Sequence, residues 1–585
     1  MSQDRPGFQL GGFRIDPASG QVHGPDGTSR LEPKVMAVLA YLHDHAGEVV
    51  SREELIGSVW DGRPVVDEVV SRCIAALRRQ LGESARHPRY IETVPKRGYR
   101  LLVPGPTGPG STDPGERVAA ERPATTPVLA VLPFQNLSAA EGDDYVADGV
   151  TELLIANLAQ LAALRVISRT SVMRYRGSQA SIPDIAAELG ASLIVEGSVL
   201  KIGDELQVVV QLIDANSDLH RWAGTFQRPI ENLLALQNEV TRTIAREISL
   251  DVSGQERQRI GRSPALPARV MEAYLRGRWF ISRRTARDCD RALSFFEAVK
   301  RDAPDFPAAW AAASDALIIG ALYGGGNPAE AVVRARENCN RALELEPDSP
   351  EAWSALGAVQ LFAEWEFDLA RESFRRALSL SPSLSLAHLA IGDTHILRAE
   401  HDEALRHIDA ALELDPLDLG LGMNRGDFLI MAGRYAAAVE QLERTLELEP
   451  GFAPARFRLA HAQALAGRFE AAERELDGMV PDGQQAKWLE TAVLVYALAG
   501  NSTSARSALA ELVALAEGQY VSPWLLARAC AAMGDADACF RWLDRCFDER
   551  TGSVIFLAVS PAFGPVRDDP RFRTCLSRLG LSPTG

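Results

Sequence analysis

No apolar run in the 585-residue chain approaches the length, roughly 18–20 residues, that a helix needs to cross a bilayer, which excludes a membrane-spanning helix. Cysteine is scarce. The seven residues (Cys73, Cys289, Cys339, Cys530, Cys539, Cys546, Cys575) are odd in number, scattered and without a C-x-x-C pair, which excludes a disulfide framework or a zinc site and suits a reducing compartment. The opening MSQDRPGFQL lacks a basic-then-apolar signal segment, so the expected location is the cytoplasm. The chain also lacks G-x-x-x-x-G-K-[ST], G-x-S-x-G and H-E-x-x-H; its nearest glycine-rich run, GPTGPGST, has no lysine. His388 and His395 share a helix face, with His401 and His407 beyond, but not at metal-ligand spacing. No catalytic residue, cofactor or metal is therefore expected, and no enzyme. Positive charge is in deficit too: 62 Lys and Arg against 78 Asp and Glu leave −16, which excludes a protein that coats nucleic acid along its length.

The composition, 46% hydrophobic and 24% charged, is that of an ordinary folded protein, and the length calls for several cores. Basic charge is concentrated in one place. Residues 71–100 hold eight basic side chains (Arg72, Arg78, Arg79, Arg86, Arg89, Lys96, Arg97, Arg100) against Glu83 and Glu92, a local balance of +6. Residues 104–127, PGPTGPGSTDPGERVAAERPATTP, read as a flexible linker, and residues 251–267, ending in GRSPALP, as a second. Three folded parts remain: 1–103, 128–250 and 268–585.

The last part repeats with a period near 34. Pro347, Pro382, Pro416 and Pro450 are separated by 35, 34 and 34 residues, each closing an amphipathic stretch such as RALELEP. Gly433, Gly467, Gly500 and Gly534 recur at 34, 33 and 34, each followed nine residues later by Leu442, Leu476, Leu509 or Leu543. Small residues such as Gly392, Gly426 and Ala460 would let two helices approach, and proline would stop the second. Through Trp353, Leu356 and Gly357 in one unit and Ala404, Ile408, Ala411 and Pro416 in another, the segment resembles the tetratricopeptide repeat. The resemblance implies an all-α solenoid of about seven or eight helix pairs between 268 and 552 that binds a protein or peptide partner. Cys539 and Cys546, and Trp353, Trp365, Trp488, Trp524 and Trp542, are expected to pack within the repeats.

The first part reads as short strands, three helices and a hairpin, an α+β pattern. Leu31, Val35, Val38, Leu39 and Leu42 mark the first helix; the capping box Ser51-x-x-Glu54 with Leu55, Val59 and Trp60 marks the second. In VVDEVVSRCIAALRRQLG, Val70, Ile74, Leu77 and Leu81 form a buried stripe, which is expected to turn Ser71, Arg72, Ala75, Arg78 and Arg79 outward. YIETVPKRGYRLLV then supplies two strands around the basic turn Pro95-Lys96-Arg97-Gly98, a wing. A helix suits the major groove and a basic hairpin the neighbouring backbone or minor groove. Through SREELIGSVW, VVSRCIAALRRQLG and IETVPKRGYRL, about 95 residues resemble the OmpR/PhoB-type winged helix. The resemblance implies DNA contacts from Trp60, Arg72, Arg78, Thr93, Lys96, Arg97 and Tyr99, to which the helix adds Ser71 and Arg79. Ala75 and Ala76 stand where many response regulators carry arginine. Because the winged helix opens this sequence and a polar linker follows it, neither the phosphorelay control of response regulators nor the membrane anchor of CadC-like relatives is expected.

The middle part reads as α/β. It has a buried strand in VLAVLPFQNLS, a helix around Gly149–Leu161, a strand in RVISRTSVMRYR, a helix and hairpin strands, and a closing helix in LLALQNEVTRTIAREI. Leu206, Val208, Val210 and Leu212 alternate with Gln207 and Gln211 after the turn Gly203-Asp204, the pattern of a half-buried strand. The segment resembles a TolB N-terminal or FlgO-like domain; Arg169 and Arg174 are its candidate anion contacts.

The expected protein is thus a one-component transcription regulator, binding double-stranded promoter DNA as a homodimer and a protein partner, RNA polymerase among the candidates, through the repeats, with no membrane contact. The alternative is a tetratricopeptide adaptor whose winged helix meets protein rather than DNA.

Overall fold

The computed structural model describes residues 8–10, 13–17, 19–24, 27–45, 49–60, 67–81, 90–94, 98–101, 126–138, 143–215, 217–250, 252–261, 264–283, 285–322, 328–478 and 484–581. By their contacts they divide into two compact units, Met1–Arg122 and Pro123–Gly585.

The first unit opens with an antiparallel meander, β1 (Phe8–Leu10), β2 (Phe13–Asp16), β3 (Gln21–Gly24) and β4 (Gly27–Arg30), paired in that order. Ile15 and Val22, opposite one another in β2 and β3, are both buried. Helix α1 (Pro33–Asp44) has proline at its first position, where the missing N–H costs no bond. After β5 (Val49–Val50) comes α2 (Arg52–Val59), started by the expected capping box: Ser51 N–H donates to Glu54 Oε2 at 2.7 Å and Glu54 N–H to Ser51 Oγ at 3.2 Å. Helix α3 (Asp67–Gln80) buries Val70, Ile74 and Leu77 as its stripe requires, with Leu81 just beyond its end. The hairpin β6 (Ile91–Val94) and β7 (Gly98–Leu101) joins β5 in a three-stranded sheet of order β5-β7-β6. The helices and both sheets share one core, which makes this unit a winged helix.

In the second unit, β8 (Val128–Val131), β10 (Arg165–Val166), β11 (Leu193–Ile202), β12 (Glu205–Asp214) and β13 (Leu219–Pro229) form a sheet of order β10-β8-β11-β12-β13, with β9 (Gln135–Asn136) beside β11. The strands β10, β8 and β11 are parallel, whereas β11, β12 and β13 are antiparallel. Gly203 sits at φ +61°, which permits the tight β11–β12 turn. Leu206, Val208, Val210 and Leu212 are all buried, as their alternation predicts. Helix α4 (Asp144–Leu158) starts ahead of the expected helix. The expected strand in RVISRTSVMRYR shrinks to Arg165–Val166, and Arg169–Met173 forms a short helix, α5. Its Ser171 and Val172 are turned into the protein. Helices α6 (Ile182–Leu189) and α7 (Leu233–Glu247) complete the layer.

The segment expected as a second linker is instead largely ordered structure. Residues Gly254–Ile260 form a helix, α8, whose own capping box joins Ser253 and Glu256. Glu256 also accepts from Ala162 N–H at 2.9 Å, so this stretch is bonded to the middle domain.

Among the described residues eight helix pairs follow, from Ala268–Ile281 with Ala286–Asp302 to Pro523–Ala532 with Ala536–Asp548, before a cap of two 3-10 turns and the helix Pro570–Arg578. The periodic residues carry the geometry. Gly433, Gly467, Gly500 and Gly534 all adopt φ between +71° and +76° at the bend between paired helices, a conformation that favours glycine. Pro347, Pro382, Pro416 and Pro450 each fall two residues past a helix end. A Cβ at Gly426 would lie 2.7 Å from the Leu442 side chain, so glycine here is a requirement of helix approach. Middle domain and first repeats share one core, from Leu129 through Leu275 to Ala316.

Candidate nucleic-acid interface

The winged-helix unit presents α3, whose 14 residues extend about 21 Å at 1.5 Å per residue, enough to lie across a groove about 12 Å wide. With Val70, Ile74 and Leu77 buried, Arg72 stands on the opposite, exposed side. Ser71 and Arg79 lie on the same helix. Thr93 is placed in β6 opposite Tyr99 in β7. Lys96 and Arg97 lie outside the described residues.

Arg78 is a correction. It was expected to face outward, but only 8% of it is exposed, and its Nη2 donates to the carbonyl of Ile91 at 2.8 Å. The reason is helical spacing. Residues 70, 74 and 78 lie on one i, i+4 row, so Arg78 extends the buried stripe and fastens α3 to the first residue of the wing. Trp60 and Tyr99 are likewise buried, 8% and 4% exposed. Trp60 caps α2 beneath the Lys34 ammonium, 5.7 Å from the ring centroid, while Lys34 donates to the Val59 carbonyl at 2.5 Å. Lys34 carries no sequence signal for this role, since an exposed lysine in a first helical turn is ordinary. The Ser51 hydrogen bonds hold the Glu54 carboxyl below its usual range, which keeps the α2 cap charged.

In the second unit the two candidate anion contacts are otherwise engaged. Arg169 lies 3.8 Å from Asp148 and 3.7 Å from Glu152, and Arg174 donates to the Leu448 carbonyl of the repeat array at 3.2 Å. His388 and His407 approach at 3.3 Å, with His395 stacked on His407; burial and these neighbours push His407 down to about 4, leaving it neutral at pH 7. Among the described residues no group of three or more His, Cys, Asp or Glu is placed to hold a metal ion. Trp524 is buried in the repeat core, and Trp353 donates to the Pro347 carbonyl at 2.8 Å. All seven cysteines are buried as thiols, none of them in a disulfide. No described helix is long and apolar enough to cross a membrane.

Fold and comparisons define a chain assembled from transcription-regulator and repeat domains. Residues 26–101 match the family described as transcriptional regulatory protein, C terminal, and residues 125–243 the second domain of HilA/YgeH-like transcriptional regulators. Residues 362–418 and 429–490 match tetratricopeptide repeats. The chain carries an OmpR/PhoB-type winged helix, and its relatives include named transcription regulators. Among these, it is 26% identical over 403 residues to the transcriptional regulator HilA of Salmonella typhimurium (strain LT2), covering 68% of each chain. It is 39% identical over 101 residues to the transcriptional activator CadC of Escherichia coli (strain K12), covering 17% of this chain and 20% of that one. A putative adenylate cyclase 3 of Rhizobium meliloti (strain 1021) is 37% identical over 161 residues, 27% of either chain, so the activity in that name stays with that protein.

Proposed function

We propose that this chain is a one-component transcription regulator that binds double-stranded promoter DNA through α3 and the wing, as a homodimer, in the cytoplasm and without enzymatic activity. The observation that carries the reading is Arg72, exposed on a helix whose other side is buried, within a domain of the transcriptional-regulator family. Ser71, Arg72, Arg79, Thr93, Lys96 and Arg97 make the direct contacts. Trp60, Arg78 and Tyr99, being buried, hold helix and wing in register for them. Arg and Lys supply the salt-sensitive phosphate attraction, and base edges read from α3 supply sequence discrimination. Two copies are invoked because one winged helix covers only a short half-site. The tetratricopeptide array contributes a protein partner, RNA polymerase being one candidate.

The test is genome-wide occupancy of the intact protein in its host beside the same protein lacking residues 1–103. Discrete promoter peaks that vanish on truncation are expected. An intact protein with no peaks under several growth conditions would overturn the reading and favour an adaptor whose winged helix meets protein. On a promoter fragment from such a peak, Arg72→Ala should weaken binding about tenfold and reduce the dependence of log K on log salt by about 1.

A further inference from the structure

Inside the repeat array lies a cavity of about 180 Å³, lined by the first helices of five successive units and bordered by the C-terminal cap at Ser553, Phe556 and Ser560. Repeat geometry decides what faces it. Asp393, Asp427, His461, Leu494 and Arg528 each stand six residues before the left-handed residue that ends the helix, Ala399, Gly433, Gly467, Gly500 and Gly534. They are one structural position repeated, and all five line the cavity.

The charges on this wall do not close on themselves. Arg458 Nε donates to Asp427 Oδ2 at 3.2 Å, a matched pair. Glu490, with no exposed surface, takes both Lys487 Nζ and Arg528 Nη1 at 2.9 Å, one cation more than it can balance. The Arg528 Nε is buried without a hydrogen-bond partner among the described residues. Asp393 is 7% exposed, and its carboxyl, unlike its main-chain carbonyl, has no hydrogen-bond or ion-pair partner among the described residues. Burial and the neighbouring Asp427 push the Asp393 carboxyl up to about 8, and burial pushes the Lys487 ammonium down to about 8. One cavity thus holds an unanswered carboxyl and an excess of cationic donors, an arrangement that is costly when empty.

We propose that the cavity is a receptor for a small zwitterion of the α-amino-acid class, its ammonium set against Asp393 and its carboxylate against Arg528 and Lys487. Size agrees. A cavity of about 180 Å³ accommodates a small molecule. Phe457, Trp524 and Phe556 supply apolar wall for a side chain. A simple amine would leave the cationic excess unanswered, and a simple acid would leave Asp393 so, which makes the zwitterion the preferred charge pattern.

The experiment is calorimetric titration of the full chain, without DNA, with each of the twenty free L-amino acids, then with butylamine and butyrate, on wild type and Asp393→Asn. Asparagine keeps the shape and removes the ionisable carboxyl that would have to face the ligand's ammonium; circular dichroism verifies its fold. Expected are one-to-one binding of at least one amino acid, at least tenfold weaker binding of butylamine and butyrate, and at least a tenfold loss in Asp393→Asn. Absence of binding for all twenty, equal binding of butylamine or butyrate, or binding indifferent to Asp393→Asn would each overturn the proposal. Because no DNA is present, its failure leaves the promoter-binding reading untouched.

Discussion

Arg78 and Arg72 sit six residues apart on one helix, and the structure gives them opposite jobs. Arg78→Ala removes a buried, charge-assisted hydrogen bond to the Ile91 carbonyl, a contact whose net worth is about 1.5–3 kcal/mol. At about 1.4 kcal/mol per factor of ten, amides of α3 and β6 that exchange by opening of this unit should exchange roughly 10- to 150-fold faster. Hydrogen exchange read by mass spectrometry on the full chain localises the effect to peptides covering 67–81 and 90–101. Arg72→Ala, removing an exposed side chain, should leave the same peptides within about threefold of wild type, since surface substitutions usually stay within about 0.5 kcal/mol. If Arg78→Ala exchanged like wild type, the clamp between α3 and the wing would be refuted, and Arg78 would return to the set of groove-facing candidates.

Asp415 accepts from both the N–H and the hydroxyl of Ser171, so Asp415→Ala strands two buried donors and should cost roughly 2–6 kcal/mol in urea unfolding, whereas Asp415→Asn keeps an acceptor and should cost less. Burial raises the Asp415 carboxyl from its ordinary 3.8 to about 6, so the folded state holds this proton more tightly than the unfolded one. The group therefore favours folding below about pH 4 and loses about 3 kcal/mol as pH rises through 6; melting from pH 4 to 7.5 should show Asp415→Asn gaining on wild type as pH rises. A Cβ at Gly197 would fall 2.2 Å from the Val209 carbonyl and 2.8 Å from the Phe134 ring, so Gly197→Ala should lower the melting temperature through a loss of about 1–3 kcal/mol. All seven thiols are buried, so the native chain should react slowly with Ellman's reagent and release all seven thiols only on denaturation.

The features most legible in the sequence are those where one residue type meets one backbone demand. A glycine every 34 residues became a left-handed bend, a proline every 34 a helix end, and Ser51 with Glu54 a capping box. Ser253 and Glu256 form the same box inside the stretch read as linker; without an apolar stripe behind it, the pattern was too weak to announce α8, which rests on the middle domain through Glu256 and Ala162. RTSVM forms a helix whose Ser171 is bonded to Asp415 of the repeat array, more than 240 residues away in sequence, a contact no local pattern carries. The burial of Arg78 is invisible to binary patterning, which counts arginine as polar and ignores that its spacing from Ile74 matches the buried row. The cavity was hidden differently: Asp393, Asp427, His461, Leu494 and Arg528 share a repeat position but not one chemistry, so only aligning the repeats on their bends reveals that they line one cavity.

How the array is joined to the middle domain limits what a ligand in that cavity could do. Across the joint, Ser168 N–H donates to the Leu414 carbonyl at 2.8 Å, Val166 N–H to Ser383 Oγ at 3.1 Å, Ser381 Oγ to the Ala159 carbonyl at 3.1 Å, and Arg278 Nε to Glu152 at 3.0 Å. With the Asp415–Ser171 contacts, opening the joint without replacing these partners would cost about 1–3 kcal/mol for each group left buried, before any loss of the shared core. The sum rivals the roughly 5–15 kcal/mol that stabilises a whole domain. A ligand needs about 5.5 kcal/mol of differential affinity merely to carry a two-state equilibrium from 1:99 to 99:1. A small zwitterion in a 180 Å³ cavity is therefore poorly matched to prising the middle domain away. Its energy is better matched to repacking the inner helices, whose bends at Gly433, Gly467, Gly500 and Gly534 set the curvature of the array and hence the surface offered to a protein partner.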